Sequence, residues 1–339
     1  MLLLLALAIA MAGCGDSSRP RLVRLQGAGA SFPAPLYGRW FKAYNKAHPH
    51  VQIDYQSVGS GSGVKSVIDG MVDFGASDAA MTKEEIARVK AGVQLLPMTA
   101  GSIVLTYNLA SVRELKLSRK AYAGIFLGRI KNWNDPEIAA CNEGKSLPNL
   151  PIHLVVRADS SGTTFVFTKH LSAVSPEFAK SPGVNKMPNW PTGTRSKGNE
   201  GVASSVKTTP GSIGYLEYGY AQTQHMAMVT LENKSGKYVG PDPKAGQMAL
   251  AEAALPEDMI VWNSDPAGPA AYPIVTYTWL ILYRHYPDPQ KLEALRDFVR
   301  YGLHEGQELA LGLGYLPLPS AIRDKVMSAV ENVQLAAKN

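Results

Sequence analysis

The stretch RADSSGTTF, Arg157–Phe165, places one guanidinium, one carboxylate, four hydroxyls and one glycine within nine residues. It follows the apolar run Ile152–Val156 and precedes a segment with helical character, so its hydroxyls fall at the start of a helix. The first N–H groups of a helix lack internal partners and carry the positive end of the helix dipole. An arginine fork can bind a tetrahedral oxyanion through two hydrogen bonds. The stretch therefore predicts an anion-binding site or a hydrolytic site with Ser161 as nucleophile.

Within this stretch, each residue type suits the binding of an anion. Gly162 allows the backbone to approach a ligand closely, and the hydroxyls of Ser161 and Thr163 are neutral donors. A simpler interpretation stays open, in which Ser160 or Ser161 only caps the helix and Arg157 is solvated.

Two further segments have backbone N–H groups that could bind an anion. In GAGASFPAP, Gly27–Pro35, the prolines stiffen the entry to a helix and leave the N–H groups of Ser31 and Phe32 free to donate. In GSGSGVKS, Gly59–Ser66, a valine separates glycine from lysine, so the Walker pattern is not met. We interpret this second segment as a strand-to-helix loop that contacts an anion through Ser60.

The segment SDAAMT, Ser77–Thr82, adds a carboxylate, Asp78, to a set of loops suited to anions. An ionised carboxylate only accepts hydrogen bonds. It would repel a fully deprotonated oxyanion such as sulfate or molybdate, and it would accept the proton that phosphate still carries near neutral pH. The alternative is an ordinary aspartate in a surface turn.

The elements around these loops alternate between helix and strand. A helix is predicted at Pro35–His48 and strands at Val51–Tyr55 and Val72–Asp78, and Thr82 with Glu85 forms a capping box. This alternation indicates an α/β fold with a mostly parallel sheet. Ligands of such sheets bind at the carboxyl ends of the strands, where the loops lie.

The composition limits the class of protein. A chain of 339 residues with 45% hydrophobic and 18% charged residues indicates two globular domains. The net charge of +6 suits an anionic ligand, but the chain has no long basic run, so nucleic acid is not expected as a partner. The pair His48 and His50 is predicted to lie in a surface turn, and no metal site is expected.

The N-terminus is typical of an exported protein. Residues 1–13 are apolar and too short to span a bilayer, so they are interpreted as a signal peptide. Small residues precede Cys14, which predicts cleavage before this cysteine, lipidation of its thiol and a tether over residues 14–21. Cys141 is the second of the two cysteines, so an acylated Cys14 leaves no internal disulfide.

Seven segments in order resemble the substrate-binding protein of the bacterial high-affinity phosphate (Pst-type) ABC transporter. They are GAGASFPAP, YQSVGSGSGVKS, VDFGASDA, FLGRIKNWND, RADSSGTTFVFT, KGNEGV and PGSIGYLEYGYA. The resemblance implies a type II periplasmic binding-protein fold, α/β in class, with two α/β lobes joined by two crossing hinge segments. Lobe I would comprise residues 22–99 plus 276–339 and lobe II residues 100–275, with hinges near 100–104 and 274–277.

The resemblance also implies a ligand set and excludes a catalytic residue, a cofactor and a metal. Asp159 would hold the side chain of Arg157 in place. The phosphate-binding residues would be Ser31, Phe32, Ser60, Asp78, Arg157, Ser161, Gly162 and Thr163.

The implied function is that of an extracytoplasmic receptor without enzymatic activity. It would capture inorganic phosphate between closing lobes and deliver it to an ABC permease, as a monomer anchored by lipid at Cys14. Binding of another oxyanion or a phosphate ester stays as an alternative. A phosphatase or serine hydrolase that uses Ser161 is a further alternative, although no Gly-x-Ser-x-Gly elbow is present.

Overall fold

The computed structural model describes residues 21–337. The predicted signal peptide, Cys14 and all but the last residue of the predicted tether therefore lie outside the described residues. Within the described range, no helix combines the length and the apolar character that crossing a membrane requires.

The strands follow the chain in two groups, joined by the long strand β4. Their bounds are β1 Val23–Gly29, β2 Val51–Ser57, β3 Phe74–Ser77, β4 Val93–Tyr107, β5 Lys116–Leu117, β6 His153–Arg157, β7 Thr194–Ser196, β8 Ser212–Glu217, β9 Ala227–Met228, β10 Thr230–Glu232, β11 Tyr238–Val239, β12 Val275–Tyr283, β13 His285–Tyr286 and β14 Gln334–Leu335.

The helices lie mainly between these strands and after the last long one. Their bounds are α1 Ala34–Ala47, α2 Ser60–Ile68, α3 Lys83–Ala87, α4 Arg119–Phe126, α5 Pro136–Ala139, α6 Gly162–Val174, α7 Pro176–Lys180, α8 Gly198–Thr208, α9 Tyr218–Thr223, α10 Pro243–Ala251, α11 Pro289–Leu303, α12 Glu305–Gly312 and α13 Ser320–Val330.

The main sheet is continuous but belongs to two lobes. Its strand order is β2-β1-β3-β12-β4-β8-β6-β7, and β9 also pairs with β4. We call the part built on β1, β2, β3 and β12 the first lobe, and the part built on β6, β7 and β8 the second lobe. Nine of the first ten residues of β4 pair with β12, with Met98 left out at a register shift, and its last five pair with β8, so this strand passes from one lobe to the other.

Strand pairing is mixed, where the sequence predicts a mostly parallel sheet. The pairs of β1 with β2 and β3, and of β6 with β7 and β8, are parallel, as in other α/β proteins. The crossing strands β4 and β12 are antiparallel to their neighbours, because a chain that passes to a second lobe and returns must run in both directions.

Aromatic and aliphatic side chains fill the core of each lobe. Trp40 of α1 is buried between α11 and α12 in the first lobe, and its indole N–H donates to the carbonyl of Gly306 at 2.8 Å. In the second lobe, Tyr215 of β8 stacks on Phe167 of α6. These contacts hold the first turns of the helices firmly against the ends of the strands.

Two segments rich in glycine or proline contain a helix. The stretch Gly59–Gly63 is not the predicted loop, because α2 begins at Ser60 and includes the last two glycines. The proline-rich segment Pro241–Pro273 contains α10, which begins after the N-cap Asp242. Tertiary packing overrides the poor helix propensity of glycine in α2, whose N-cap Gly59 makes no side-chain cap bond. In α10 the cap of Asp242 and a proline in the first turn both favour the helix start.

Candidate functional site

The first loop of the site follows β1. The N–H of Ala30 donates to the carbonyl of Ala76 at 2.9 Å, which holds the loop against β3. The next two residues, Ser31 and Phe32, are buried, and α1 begins just after Pro33. Their backbone N–H groups have no hydrogen-bond partner within residues 21–337, as the sequence predicts for this loop. A pair of adjacent unpaired donors therefore lies at the carboxyl end of β1.

A close approach of backbones positions this loop. A Cβ built on Gly29 would lie 2.0 Å from the carbonyl oxygen of Ala76, so only glycine fits there. The helix α2 also packs directly on β1, since a Cβ on Gly63 would lie 2.4 Å from the Cα of Gly29. These glycines serve packing between elements and are not ligands.

Ser60 is buried at the first position of α2, near the second lobe. Its hydroxyl oxygen accepts a hydrogen bond from the N–H of Asp78 at 3.2 Å, so its hydrogen stays available to a ligand. The N–H groups of the neighbouring glycines are not free for a ligand. The N–H of Gly59 donates to Gly29 and that of Gly61 donates to Ser160 of the second lobe, both at 2.9 Å.

Asp78 is not in a surface turn; it is buried directly after β3. One carboxylate oxygen accepts a hydrogen bond from the hydroxyl of Thr278 at 2.9 Å, and the other accepts one from Thr163 at 3.3 Å. Burial raises the pKa of this carboxyl to about 7, although both threonines and the charge of Arg157 act to lower it. Asp78 can therefore exchange a proton with a bound ligand near neutral pH.

Arg157 ends β6 and is buried, not solvated: its side chain is 1% exposed and that of Asp159 is 9% exposed. Its Nε and Nη2 donate to the two carboxylate oxygens of Asp159 at 2.8 and 2.5 Å. Burial acts to raise the pKa of Asp159, but the hydrogen bonds and charge of Arg157 outweigh it and hold this pKa below its usual range. The Nη1 amino group of Arg157 is buried and has no partner within the described residues. Burial of a cationic donor without a hydrogen-bond partner costs free energy unless a ligand accepts a bond from it.

The start of α6 forms the opposite wall. Ser161 is the N-cap, and its hydroxyl accepts a hydrogen bond from the N–H of Thr164 at 3.0 Å. The N–H of Ser161 donates to the carbonyl of Lys186, so this backbone donor is not free. The N–H groups of Gly162 and Thr163 have no partner within residues 21–337, as expected at the first turn of a helix. Ser161 therefore caps the helix and keeps its own hydroxyl hydrogen for a ligand.

Gly162 lies against the first lobe. A Cβ at this position would lie 2.4 Å from the hydroxyl oxygen of Ser60 and 2.8 Å from the carboxylate of Asp78. With the hydrogen bond from Thr163 to Asp78, this contact brings Ser60, Asp78, Gly162 and Thr163 together from both lobes, and the charge of Arg157 acts on the same carboxyl. Ser31 and Phe32 are buried in the loop after β1.

The combined chemistry is that of an anion cradle with one acceptor. The hydroxyls of Thr163 and Thr278 donate to the carboxyl of Asp78, Ser60 and Gly162 lie beside it, and the charge of Arg157 acts to lower its pKa. A tetrahedral oxyanion that keeps one proton would satisfy both the donors and this acceptor, whereas one without a proton leaves an ionised Asp78 opposed by a lone pair.

Within residues 21–337, no hydrogen bond joins the hydroxyl of Ser161 to a histidine. His170 lies on the same helix as Ser161, but its ring nitrogens pair with the hydroxyl of Tyr122 and the carbonyl of Ser264. Burial lowers the pKa of His170 to about 4. Within residues 21–337, no group of three or more His, Cys, Asp or Glu residues is arranged to hold a metal ion.

Two residues of the site are missing from the sequence-based set. Thr278 lies on β12 and orients Asp78, and Asn199 lies at the start of α8 and donates twice to the hydroxyl of Ser31. The only sequence signal for Asn199 was its place in the segment KGNEGV. No local signal pointed to Thr278, which is 200 positions from the residue that it contacts.

The contribution of Asp78 to the stability of the ligand-free protein is expected to fall as the pH rises from about 4 to about 7. Burial raises the pKa of Asp78 from 3.8 to about 7, so the folded chain holds a proton that the unfolded chain has released. Because Asp78 binds this proton only in the folded state, its contribution to the free energy of unfolding falls with rising pH, by at most about 4 kcal/mol. Burial lowers the pKa of His170, which acts in the opposite direction, so the effect of Asp78 is read from the difference between wild type and a variant at position 78. Urea unfolding of anion-free protein at a series of pH values measures this dependence.

The control for this measurement is Asp78→Asn, which cannot titrate. Burial also raises the pKa of Glu217, but that contribution is common to both proteins and cancels in the difference. The difference in unfolding free energy between wild type and variant should therefore change across the window. An identical pH dependence in both proteins would contradict the assignment to Asp78.

Known proteins match this chain over most of its length. A family model described as PBP superfamily domain matches residues 15–305. The phosphate-binding protein PstS of Pasteurella multocida is 40% identical over 312 residues, covering 90% of this chain and 89% of the relative. That of Methanocaldococcus jannaschii is 35% identical, covering 96% of this chain and 92% of the relative.

Solved structures show the same fold at lower identity. The high-affinity periplasmic phosphate-binding protein PfluDING, bound with phosphate, superposes with a TM-score of 0.76 at 20% identity over 90% of this chain and 93% of its own. The phosphate-binding protein of Stenotrophomonas maltophilia gives a TM-score of 0.74 at 22% identity with the same coverage. The predicted two-lobed α/β binding-protein fold is thereby confirmed.

Proposed function

The chain belongs to the family of PstS phosphate-binding proteins, and from this premise we propose that it captures inorganic phosphate between its lobes and delivers it to an ABC permease. The ligand residues would be those predicted from the sequence. Ser31, Phe32, Ser60 and Asp78 would act from the first lobe, and Arg157 with Ser161, Gly162 and Thr163 from the second.

The observation that carries this proposal is the partnerless Nη1 group of Arg157 in a fully buried setting. Asp159 neutralises the charge of the guanidinium but leaves this donor unsatisfied. The N–H groups of Ser31 and Phe32 in the first lobe and of Gly162 and Thr163 in the second have no partner within residues 21–337, so one tetrahedral anion bound between the lobes would satisfy donors that otherwise remain orphaned. Asp78 would accept the proton of the bound phosphate.

The test is a pair of calorimetric titrations, with phosphate and with sulfate, on protein that has been unfolded and refolded to remove bound anion. Saturable phosphate binding is the expected result, and at about pH 8.5, where Asp78 is ionised, sulfate should bind at least about 30-fold more weakly, because its binding then requires uptake of a proton at Asp78. Equal affinities would contradict the role of Asp78, and absence of phosphate binding would contradict the function.

The lobes would move relative to each other about β4 and β12. The proposed division assigns residues 22–99 and 276–339 to lobe I and 100–275 to lobe II. The change of partner within β4, from β12 to β8, supports a hinge between Ser102 and Ile103. A ligand held on all sides must be released by such an opening.

No catalytic role is proposed. Ser161 caps α6, and none of the hydrogen bonds of the described residues links it to a histidine. Turnover of a chromogenic phosphate ester that disappeared in Ser161→Ala would overturn this view.

An extracytoplasmic location with a lipid anchor at Cys14 completes the proposal, and it rests on the sequence of residues 1–14. The anchor would hold a monomeric receptor near its permease. Labelling of cells with a radioactive fatty acid is expected to mark the wild-type protein and not Cys14→Ser. Equal labelling of both would exclude this site, and Cys141→Ser is the matched control that should keep the label.

A further inference from the structure

We propose that Asn199 is a positioning residue that turns the hydroxyl of Ser31 into a donor when the lobes close. The inference rests on the proposed function, since it concerns how the same site recognises phosphate. It goes beyond the ligand set, because Asn199 acts through Ser31.

Asn199 is completely buried at the second position of α8, in the second lobe. Its backbone N–H donates to the hydroxyl oxygen of Ser31 at 3.1 Å, and its side-chain Nδ2 donates to the same oxygen at 2.9 Å. Its Oδ1 accepts a hydrogen bond from the N–H of Glu217 at 3.1 Å, which fixes the orientation of the amide. The amide is therefore held with its nitrogen toward Ser31.

Two donors at one hydroxyl oxygen determine the direction of its hydrogen. A serine hydroxyl has two lone pairs and one hydrogen. In this structure both lone pairs of the Ser31 hydroxyl oxygen accept hydrogen bonds from Asn199. The hydroxyl hydrogen is therefore the part of this group that can still bond to a ligand. The oxygens of phosphate are mainly acceptors and need donors around them. Asn199 thus selects the rotamer of the hydroxyl that phosphate requires.

The contact also links recognition to closure. Ser31 belongs to the loop after β1 of the first lobe, whereas Asn199 and Tyr220 belong to the second lobe. Tyr220 donates from its hydroxyl to the carbonyl of Ser31 at 2.6 Å, so the second lobe contacts this loop at two points. When the lobes separate, these contacts break and the hydroxyl of Ser31 rotates freely. Closure of the lobes therefore orients the hydroxyl of Ser31 as a donor and also encloses the ligand.

A double-mutant cycle of Asn199→Ala and Ser31→Ala tests the proposal by calorimetry with inorganic phosphate. We expect Asn199→Ala to weaken phosphate binding about tenfold in the wild-type background, in line with the loss of one oriented hydrogen bond. In the Ser31→Ala background, the same change should cost less than about twofold, because no hydroxyl is left to orient.

The matched control is Asn233→Ala, which removes another completely buried asparagine amide, one that binds the loop carbonyls of Gly268 and Ala271 away from the site. It should lower the midpoint of urea unfolding and leave the phosphate affinity within about twofold of wild type. An Asn199→Ala penalty equal in both backgrounds would show a merely structural role and overturn the proposal.

Asn199→Asp serves where the alanine variant does not fold, because its carboxylate still accepts the bond from Glu217. The added charge opposes phosphate in both backgrounds and cancels in the cycle with Ser31→Ala. A coupling of at least about tenfold is expected, since the hydroxyl of Ser31 would turn to donate to the new carboxylate. Absence of coupling refutes the inference, whereas failure of the wild-type protein to bind phosphate refutes the proposed function instead.

Discussion

Replacement of Arg157 by alanine is expected to weaken phosphate binding by about 2–5 kcal/mol, which is about 30-fold to several thousand-fold. The guanidinium is buried and its Nη1 group is a cationic donor without a partner among the described residues. Its removal also leaves the buried carboxylate of Asp159 without its cationic partner, while the N–H of Gly198 still donates to it at 3.0 Å. Both effects oppose binding, so the loss should exceed that of a single neutral hydrogen bond.

Calorimetric titration with phosphate at neutral pH measures this loss, and the unfolding midpoint without phosphate checks that the variant is folded. Arg129→Ala is the matched control, because Arg129 is exposed and pairs with Glu177 at the surface. Its affinity should stay within about twofold of wild type. A folded Arg157→Ala protein with unchanged affinity would remove the central observation behind the proposed function.

Replacement of Asp78 by asparagine is expected to abolish most of the discrimination against sulfate. At about pH 8.5 the wild-type carboxylate is ionised and faces the ligand as an acceptor, so sulfate, which has no proton to give, binds only if Asp78 takes up a proton. An asparagine side chain can present its amide N–H to a sulfate oxygen while its carbonyl keeps the bond from Thr278. At this pH the sulfate affinity should therefore rise by about 30-fold or more, and the ratio between the two anions should fall accordingly.

The measurement is the ratio of phosphate to sulfate dissociation constants in wild type and variant. Asp324→Asn, at an exposed position of α13, changes the net charge equally and should leave the ratio unchanged. Retention of the full ratio in Asp78→Asn would place the source of selectivity elsewhere in the site. At about pH 5 the wild-type Asp78, with its pKa of about 7, is protonated and can donate to sulfate, so the substitution should change the sulfate affinity much less than at about pH 8.5.

Much of the local structure and of the ligand set follows from short stretches of sequence. Thr82 and Glu85 form the predicted capping box, and Ser118 caps α4 as expected. Arg157, Ser161, Gly162 and Thr163 could be assigned together because strand, turn and helix start are encoded within nine adjacent residues. Hydrogen bonds of this kind join residues a few positions apart, so residue type and spacing suffice to predict them.

What the sequence by itself determined was therefore the set of anion-binding loops, their order and the α/β class. Only the tertiary structure decided that Arg157 is buried with an unpaired amino group, that burial raises the pKa of Asp78 to about 7, and that Asn199 orients Ser31. The physical reason is that desolvation and hydrogen-bond direction depend on atoms brought together by folding. Thr278 and Asp78 are 200 positions apart, and Asn199 and Ser31 are 168 apart. No local pattern records such pairs, because the crossing strands and the packing of the two lobes bring them into contact.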